Sequence, residues 1–394
     1  MRGRGVGPAG VVDDLILRLV GDRQVYAGPA AEAPGPPCPE YRWDGLILPG
    51  LVDLHCHGGG GASFPDANTT AEVMTAVSEH RRHGTTSLVA SLVTDAPEAL
   101  LRRTALLAKV AVAGEIAGIH LEGPFLSVAR CGAQDPRQMR LPDAGLVAAL
   151  AEAAGGHWAT MTLAPELPGV VGPGGLVEAL ARLGVVPSFG HTDASALGLA
   201  TAVDDAVTQL GAQGGPRGGL PTATHLFNGM RPIHHRDPGP VLACLAAAAR
   251  GQMVVELIAD GVHLDPLTVA GVFDLVGADQ VALVTDAMAA AGLGDGVYRL
   301  GPREVRVDAG VARLVEGDSI AGGVAHLMDV VRGAVFNAGV ALAAAVRAAS
   351  LVPARVLGLT HEIGALGAGL LADFVLTDQD LAVKAVYRRG RLVL

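Results

Sequence analysis

Aromatic residues and lysine are scarce in this chain of 394 residues. Aromatic residues make up 3% of the chain and hydrophobic residues 50%, so alanine, valine and leucine must build any core. The chain has 29 basic residues, of which only Lys109 and Lys384 are lysines, against 39 acidic residues, a net charge of −10. It also lacks any run of five basic residues. Nucleic acid is therefore not expected to be its main partner.

Long hydrophobic segments and paired cysteines are missing as well. No stretch approaches the roughly 20 uninterrupted apolar residues of a membrane span, and Asp13, Asp14 and Arg18 interrupt the apolar segment near the N-terminus. Neither a membrane partner nor a secretory signal peptide is expected. The four cysteines lie far apart and form no CxxC motif, which is typical of a reducing compartment. These absences predict a folded cytoplasmic protein.

Short apolar segments that end in polar residues recur through the middle of the chain. They predict eight strands, at 51–57, 86–92, 116–122, 159–164, 185–191, 222–227, 253–260 and 281–286. Helical patterns rich in alanine and leucine lie between them, for example at 69–82, 97–110, 146–154 and 176–183. Eight such units predict an α/β fold, a (β/α)8 TIM-like barrel. A doubly wound sheet is the alternative, but no GxGxxG motif opens a first strand–helix turn.

The two ends of the chain have a different pattern. Short alternating apolar segments occupy 11–49, around a proline-rich patch at 34–37, and strand-like segments at 373–376 and 383–394 follow the helical segment 342–359. Neither end could bury a core alone, so we predict that 1–49 and 360–394 form one small β-sandwich domain beside a barrel of 50–359. The segment 296–315 also alternates, which predicts a hairpin inserted after the eighth strand.

Residues that suit a metal ion lie at the ends of the predicted strands. His55 and His57 are two residues apart, so both point to the same strand face. Four other strands contribute Glu122, His191, His225 and Asp286. The carboxyl ends of barrel strands meet at one mouth, and imidazole nitrogens with carboxylate oxygens suit Zn²⁺, Fe²⁺ or a similar divalent ion.

Each of these residues taken alone has an ordinary structural explanation. A buried histidine is usually a hydrogen-bonded core residue, Glu122 could simply end a strand, and Asp286 could cap the next segment. The coincidence of six metal-compatible residues at one barrel mouth is much harder to explain in this way. The set as a whole therefore favours a metal site.

Seven segments of the chain resemble the N-acetylglucosamine-6-phosphate deacetylases of the amidohydrolase superfamily. In the family's order they are LPGLVDLHCHG (48–58), GIHLEGPFL (118–126), SFGHTDA (188–194), THLFNGM (224–230), HRDPG (235–239), IADGVH (258–263) and LVTDA (283–287). HLEGPF and ADGVH are far more specific than HxH, which the whole superfamily shares. The resemblance implies a metal-dependent hydrolase that converts N-acetyl-D-glucosamine 6-phosphate to D-glucosamine 6-phosphate and acetate.

The same resemblance implies the metal ligands. Glu122, His191 and His225 match the principal ligands of the family. His55 and His57 match positions that bind a second ion, bridged by Glu122, in some members. Other members use one metal, so one or two ions per subunit remain open, with Zn²⁺ or Fe²⁺ expected. A carboxylated lysine cannot bridge two ions here, because neither lysine ends a predicted strand.

Resemblance also implies how the amide would be hydrolysed. Asp286 is the expected general base, which takes a proton from the metal-activated water and then passes it to the departing amine. Gln134 matches a position where many members carry a histidine that contacts the substrate carbonyl. A glutamine there can donate a hydrogen bond to an oxyanion but cannot supply a proton.

Four further residues are implied to bind the substrate. Arg236 and His263 match the residues that hold the sugar 6-phosphate, and the backbone near Asn228 and Gly229 matches the pocket wall. An arginine suits a phosphate because its planar fork makes two charge-assisted bonds. In the family this arginine can come from a neighbouring subunit, so a homodimer is expected, while the subunit that supplies Arg236 stays open.

Three other functions remain open at this point. An N-acetylgalactosamine-6-phosphate deacetylase would act on a sugar that differs at one hydroxyl. Another amidohydrolase, such as a cyclic amidase or a deaminase, is the second alternative. An inactive oligomeric scaffold is the third, although such proteins usually lose ligands and all six residues are present here.

Overall fold

A computed structural model of the chain describes residues 1–35, 40–317 and 319–394, so part of the proline-rich patch and Cys38 lie outside the described residues. Within these ranges the strands form one eight-stranded sheet, one seven-stranded sheet and two smaller sheets. None of the helices in these ranges combines the length and the hydrophobicity that a bilayer crossing requires.

Eight parallel strands form the barrel that the alternating pattern predicts. Neighbouring strands in the sheet follow one another in sequence, and a parallel bridge between Cys56 and Ala287 joins the first strand to the segment after the eighth. The strands are β1 (Leu51–Cys56), β2 (Thr85–Leu92), β3 (Gly118–Glu122), β4 (Trp158–Leu163), β5 (Val186–Phe189), β6 (Thr222–Ala223), β7 (Val254–Leu257) and β8 (Val281–Leu283). The predicted fold class is confirmed.

The α-helices lie between the barrel strands and after the eighth. They are α1 (Thr70–Arg82), α2 (Pro97–Val112), α3 (Ala144–Ala154), α4 (Leu176–Arg182), α5 (Ala196–Ala212), α6 (Gly239–Ala249), α7 (Pro266–Val276), α8 (Leu327–Arg332), α9 (Leu342–Ala348) and α10 (Leu351–Val356). The helical segment predicted over 342–359 contains two helices, since α9 ends before α10 begins. Pro353 lacks the N–H that a continuous helix would need, but in the first turn of α10 that N–H has no intrahelical partner to lose.

Strands from both ends of the chain share the seven-stranded sheet. In order across the sheet they are Arg391–Leu392, Val383–Arg388, Phe374–Thr377, Arg42–Pro49, Arg2–Gly7, Gly10–Val20 and Arg23–Pro29. The two ends meet in an antiparallel pair in which Leu376 lies opposite Ile47. Both side chains pack with Leu15 and Phe374 in one buried cluster. The ends of the chain thus bury a common core, whereas the boundaries of the two domains stay a prediction.

A three-stranded antiparallel sheet follows the barrel's eighth strand. Its strands are Gly296–Leu300, Arg303–Asp308 and Val311–Leu314. The simple hairpin predicted over 296–315 is therefore wrong. The chain reverses a second time at Ala309 and Gly310, whose φ angles of 49° and 75° suit a two-residue hairpin turn.

An aliphatic layer closes the barrel below the polar strand ends. Val52 lies on β1, Val254 lies on β7 and Val284 directly follows β8. The three side chains pack in one buried cluster with Val352 of α10. Polar residues follow toward the carboxyl ends of the strands. This arrangement places the chemically active side chains at one mouth of the barrel.

Candidate metal centre and substrate pocket

Besides His57, which follows β1 by one residue, three of the candidate residues lie beyond the strands that were predicted to contain them. His191 follows β5 by two residues, His225 follows β6 by two and Asp286 follows β8 by three. Their φ angles are 46°, 28° and 47°, a left-handed conformation that residues other than glycine rarely adopt. Such backbone strain is concentrated at functional sites. The sharp turns aim these side chains at the barrel axis instead of continuing the strands.

Glu122 joins two groups of candidate ligands. Its Oε1 atom lies 2.9 Å from Nε2 of His191 and 2.9 Å from Nε2 of His225. The two Nε2 atoms are 3.2 Å apart. One oxygen of the carboxylate and two imidazoles therefore form a compact triangle.

The second oxygen of Glu122 faces the other group. Its Oε2 atom lies 3.1 Å from Nε2 of His57 and 3.8 Å from Nε2 of His55. Those two nitrogens are 3.0 Å apart. Asp286 Oδ1 completes the group, at 3.4 Å from His55 and 3.2 Å from His57.

Both groups have the dimensions of a divalent metal site. A tetrahedral ion with ligand bonds of about 2.0–2.1 Å holds its ligand atoms about 3.3–3.4 Å apart. The distances within the two groups run from 2.9 to 3.8 Å. The four imidazoles and two carboxylates thus fit two ions, with Glu122 between them.

The carboxylates and imidazoles of the centre favour each other's charged forms. Burial alone would raise the pKa of the Asp286 carboxyl, but the adjacent His55 and His57 imidazoles hold that pKa well below its usual range. Burial would likewise lower the pKa of His55, yet the carboxylates of Asp286 and Glu122 raise it well above its usual value. The carboxylates therefore demand a positive charge among them, which either protons or a metal ion can supply.

Backbone carbonyls fix the orientation of two of the rings. Nδ1 of His57 lies 3.2 Å from the carbonyl oxygen of Ser91, and Nδ1 of His191 lies 2.8 Å from that of Arg130. A ring that donates its Nδ1–H in this way directs the lone pair of Nε2 toward the centre. Both histidines are therefore held in the tautomer that a metal ion requires.

A cavity of about 270 Å³ opens onto the centre. Glu122, His191, His225, His57 and Asp286 line it, together with four of the predicted substrate residues, Gln134, Asn228, Gly229 and His263. At Gly229, where φ is 61°, a Cβ atom would lie only 2.8 Å from Nδ1 of His191. The cavity thus has room for a ligand beside both groups.

Arg236 lies outside the described lining of this cavity. Its loop connects β6 to α6, and its exposed guanidinium lies 2.8 Å from Nε2 of His235. The neighbouring Arg231 is bound instead to Asp237 and Asp193. The predicted role of Arg236 in holding a phosphate group therefore stays a prediction, and so does the subunit that it would serve.

The amide of Gln134 contacts the centre directly. Its Nε2 donates to Glu122 Oε2 over 2.6 Å, while its Oε1 accepts the backbone N–H of Thr94 over 2.8 Å. The bond from Thr94 fixes which end of the amide faces Glu122. One N–H of the side chain is therefore engaged by the carboxylate, and the other remains for a ligand in the cavity.

His263 is paired with a carboxylate at the cavity wall. Asp260 Oδ2 lies 2.8 Å from its Nδ1. Burial would lower the pKa of His263, but the hydrogen bond and charge of Asp260 raise it above its usual value. This histidine is therefore disposed to carry a positive charge toward an anionic ligand.

Two buried carboxylates at the centre escaped the sequence analysis. Glu256 on β7 lies 3.3 Å from Nδ1 of His55. Asp53 on β1 accepts the hydroxyl of Thr285 over 2.7 Å and the N–H of His55 over 3.2 Å, and burial raises its pKa to about 6. The signal was available, because both interrupt strands that are otherwise almost entirely apolar.

A second group of polar side chains, outside the centre, has hydrogen-bond and ion partners within the group. Glu79 binds His326 through Oε1 and Arg82 through Oε2. The backbone N–H of His326 in turn donates to the Asp329 carboxylate in the first turn of α8. These contacts tie α1 to the loop before α8, a structural role.

Comparisons with known proteins find similar sequences over most of the chain. The sequence model of the Amidohydrolase family matches residues 46–393. The N-acetylglucosamine-6-phosphate deacetylase of Bacillus subtilis (strain 168) is 33% identical over 357 residues, which cover 89% of this chain and 85% of that protein. The Bos taurus protein of the same name is 34% identical over 360 residues, covering 88% and 83%.

A solved structure is similar over almost the whole chain. It is a mutant N-acetyl-D-glucosamine-6-phosphate deacetylase from Mycobacterium smegmatis in complex with N-acetyl-D-glucosamine-6-phosphate. The two sequences are 42% identical, the TM-score is 0.90, and the match covers 99% of this chain and 97% of the other. The resemblance seen in the seven sequence segments is confirmed.

Proposed function

Because this chain belongs to the amidohydrolase family, we propose that it hydrolyses N-acetyl-D-glucosamine 6-phosphate to D-glucosamine 6-phosphate and acetate. The relatives and the similar structure described above carry this activity in their names. The observation that carries the proposal is the pair of ligand groups around Glu122 at the floor of a ligand-sized cavity.

Two positions at the centre would each hold a metal ion. Glu122, His191 and His225 would hold one ion, and His55 and His57 with the other oxygen of Glu122 would hold a second. Zn²⁺ and Fe²⁺ both suit this nitrogen and oxygen set. An ion held here would lower the pKa of a bound water toward neutral pH, so that the water can give up a proton to a base, and would polarise the amide carbonyl.

Asp286 would move the proton in the hydrolysis. It lines the cavity and is kept ionised by the imidazoles of His55 and His57. The attacking water gives its proton to the carboxylate of Asp286 as a carbon–oxygen bond forms. Asp286 then gives that proton to the sugar nitrogen as the carbon–nitrogen bond breaks, which releases an amine and acetate.

Gln134 would bind the acetyl group during this step. One of its N–H groups is held by Glu122, so the second can donate to the carbonyl oxygen as negative charge develops there. Gln134 would therefore stabilise the developing negative charge by a hydrogen bond, and its amide would keep both protons.

We further propose that the 6-phosphate is held from two subunits of a homodimer. His263 lines the cavity and is biased toward its charged form by Asp260. Arg236 lies on an exposed loop with its guanidinium near a histidine, so a neighbouring subunit could present it to the phosphate. The backbone at Asn228 and Gly229 would complete the wall of the pocket.

Acetate release from four sugars tests the substrate assignment. The purified protein, supplied with Zn²⁺ or Fe²⁺, is given N-acetylglucosamine 6-phosphate, its galactose epimer, and both sugars without phosphate. We expect kcat/KM to be highest for N-acetylglucosamine 6-phosphate and at least tenfold lower without the phosphate.

Each other result selects a different function. Equal rates with and without phosphate would keep the deacetylase and discard the phosphate site. Preference for the galactose epimer would change the sugar. No acetate from any of the four by protein that holds metal would leave another amidohydrolase substrate or the inactive scaffold.

A further inference from the structure

Glu256 is a buried carboxylate inside the barrel, one position below the metal ligands. It lies on β7, where alternate residues share a strand face. Val254, two residues earlier, belongs to the aliphatic layer that closes the barrel. Glu256 itself is 3% exposed. A buried acidic residue therefore lies where the aliphatic layer of the barrel gives way to polar side chains.

One oxygen of Glu256 makes two contacts with the metal centre. Its Oε2 lies 3.3 Å from Nδ1 of His55 and accepts the backbone N–H of His225 over 3.2 Å. A carboxylate oxygen without a proton can only accept a hydrogen bond, so in that pairing Nδ1 of His55 is the donor. The lone pair of His55 Nε2 is then directed at Glu122 and Asp286.

The charge of Glu256 has no conventional partner. Among the described residues its ion partner is the imidazole of His55, and neither a lysine nor an arginine pairs with it. A buried carboxylate is costly unless a positive charge lies nearby. A cation bound at Nε2 of His55 would place a positive charge on the far side of the imidazole ring from Glu256.

The other three imidazoles of the centre lack a carboxylate at Nδ1. His57 and His191 face backbone carbonyls, and Nδ1 of His225 is buried without a hydrogen-bond partner among the described residues. A carboxylate at Nδ1 raises the basicity of the ligating Nε2 more than a neutral carbonyl does. His55 is therefore distinguished from the other ligands by its partner, Glu256.

We propose that Glu256 is a positioning residue that orients His55 and strengthens binding of the ion held by His55 and His57. The proposal deepens the metal-dependent hydrolysis proposed above and rests on it. The affinity of the ion held by His55 and His57 should depend on Glu256, because Glu256 contacts the side chain of His55. The affinity of the other ion should depend on it less, because Glu256 contacts only the backbone of His225.

Metal binding without substrate tests the proposal. Metal-free wild type, Glu256→Ala and Glu256→Gln are titrated with Zn²⁺ against a chromophoric chelator, and bound metal is counted by elemental analysis. The absorption spectrum of each Co²⁺-loaded protein reports the ligand environment. Asp373→Asn, which changes a buried carboxylate of another part of the chain bound to the N–H of Arg389, is the matched control.

Wild type and the control should bind two ions per chain. In Glu256→Ala one ion should bind as before, and the other about 10–100-fold more weakly, the usual cost of losing such a partner. Glu256→Gln should lie between, because its carbonyl accepts the Nδ1–H of His55 but carries no charge. The Co²⁺ spectrum of the weakened position should change in the same order.

Several results would overturn the proposal. These are two ions bound with unchanged affinity by Glu256→Ala, equal loss of both ions from a folded Glu256→Ala, or a single wild-type ion that neither variant affects. Circular dichroism of the metal-free proteins checks folding, and if Glu256→Ala does not fold, unchanged affinity in Glu256→Gln overturns it. Two-ion binding with no acetate release would contradict the proposed function and leave the role of Glu256 standing.

Discussion

Asp286 is the only one of the six mouth residues that combines three properties of a proton carrier. It is ionised by its neighbours, it borders the cavity, and its contacts with His55 and His57 leave it outside the bridge that Glu122 forms. Glu122 also borders the cavity, but both of its oxygens are engaged by imidazoles. At the scale of single residues, Glu122 is therefore our candidate for holding the centre together and Asp286 our candidate for moving the proton.

Asp286→Asn should therefore remove turnover while leaving the fold and the ion between Glu122, His191 and His225. An amide cannot accept the proton of the water, so we expect kcat to fall by about 10²–10⁴-fold, the usual contribution of general acid–base catalysis. Steady-state kinetics together with metal analysis measure both effects. A near-normal kcat would remove Asp286 as the base.

His263 gives the substrate affinity a definite pH dependence. Asp260 raises the pKa of His263 above the ordinary value of about 6.5, and the protonated ring attracts the phosphate. The KM for the phosphorylated sugar should therefore be low below this raised pKa and rise as the pH passes through it. In Asp260→Asn the pKa falls, so the rise in KM should begin at a lower pH.

The unphosphorylated sugar provides the control for this pH profile. Its KM should show no such rise, since it carries no charge for His263 to attract. If Asp260→Asn left the profile for the phosphorylated sugar unchanged, His263 would not be a phosphate ligand.

At the scale of elements, the strands were predictable and the turns that follow them were not. Eight apolar segments predicted all eight barrel strands, because burial on both faces leaves a clear pattern. His225 was placed inside a strand, yet it adopts a φ of 28° beyond β6. That turn depends on contacts among several loops at the mouth, which hydrophobic periodicity does not encode.

The candidate site shows the same division. His55, Glu122 and Asp286 could be proposed from the sequence, because they lie at or near strand ends. Glu256 interrupts an otherwise apolar strand, but its contact with His55 is known only from the structure. Arg236 was identified by resemblance, but whether it serves its own subunit depends on an assembly that one chain does not contain.

The start of α1 provides a test of local stability. The side chain of Thr69 accepts the N–H of Glu72, and the Glu72 carboxylate accepts the N–H of Thr69. Thr69→Ala removes the first of these bonds, so it should lower the free energy of unfolding by about 1 kcal/mol. Thr75→Ala, at an exposed position inside the same helix, should change it by less than about 0.5 kcal/mol.

Denaturant unfolding of the metal-loaded proteins compares the two variants. Activity should be unchanged in both, because neither threonine borders the cavity. Equal stability of the two variants would mean that the capping bonds of α1 contribute nothing measurable.

At the scale of the whole molecule, the account depends on two subunits sharing a phosphate site. Arg236→Ala should raise the KM for the phosphorylated sugar and leave kcat nearly unchanged, because the guanidinium is remote from the reacting amide. If Arg236 acts across the interface, a hybrid of Arg236→Ala and Asp286→Asn subunits contains one complete site. Random mixing should then restore about a quarter of wild-type activity at low substrate concentration.

Coexpression of two differently tagged variants, or their reassembly after dissociation, would measure this complementation. Recovery above the sum of the two separate variants supports an arginine from the partner subunit. An impaired Arg236→Ala protein without recovery would place the arginine in its own subunit, and an unchanged KM would place the phosphate elsewhere.

The most direct test of the account is acetate release from N-acetylglucosamine 6-phosphate as metal is removed and returned. Protein stripped of metal by a chelator should be inactive. Measured additions of Zn²⁺ should restore turnover as the metal positions beside Glu122 become occupied. Full activity in metal-free protein, or no acetate from folded protein shown to hold its metal, would contradict the central claim.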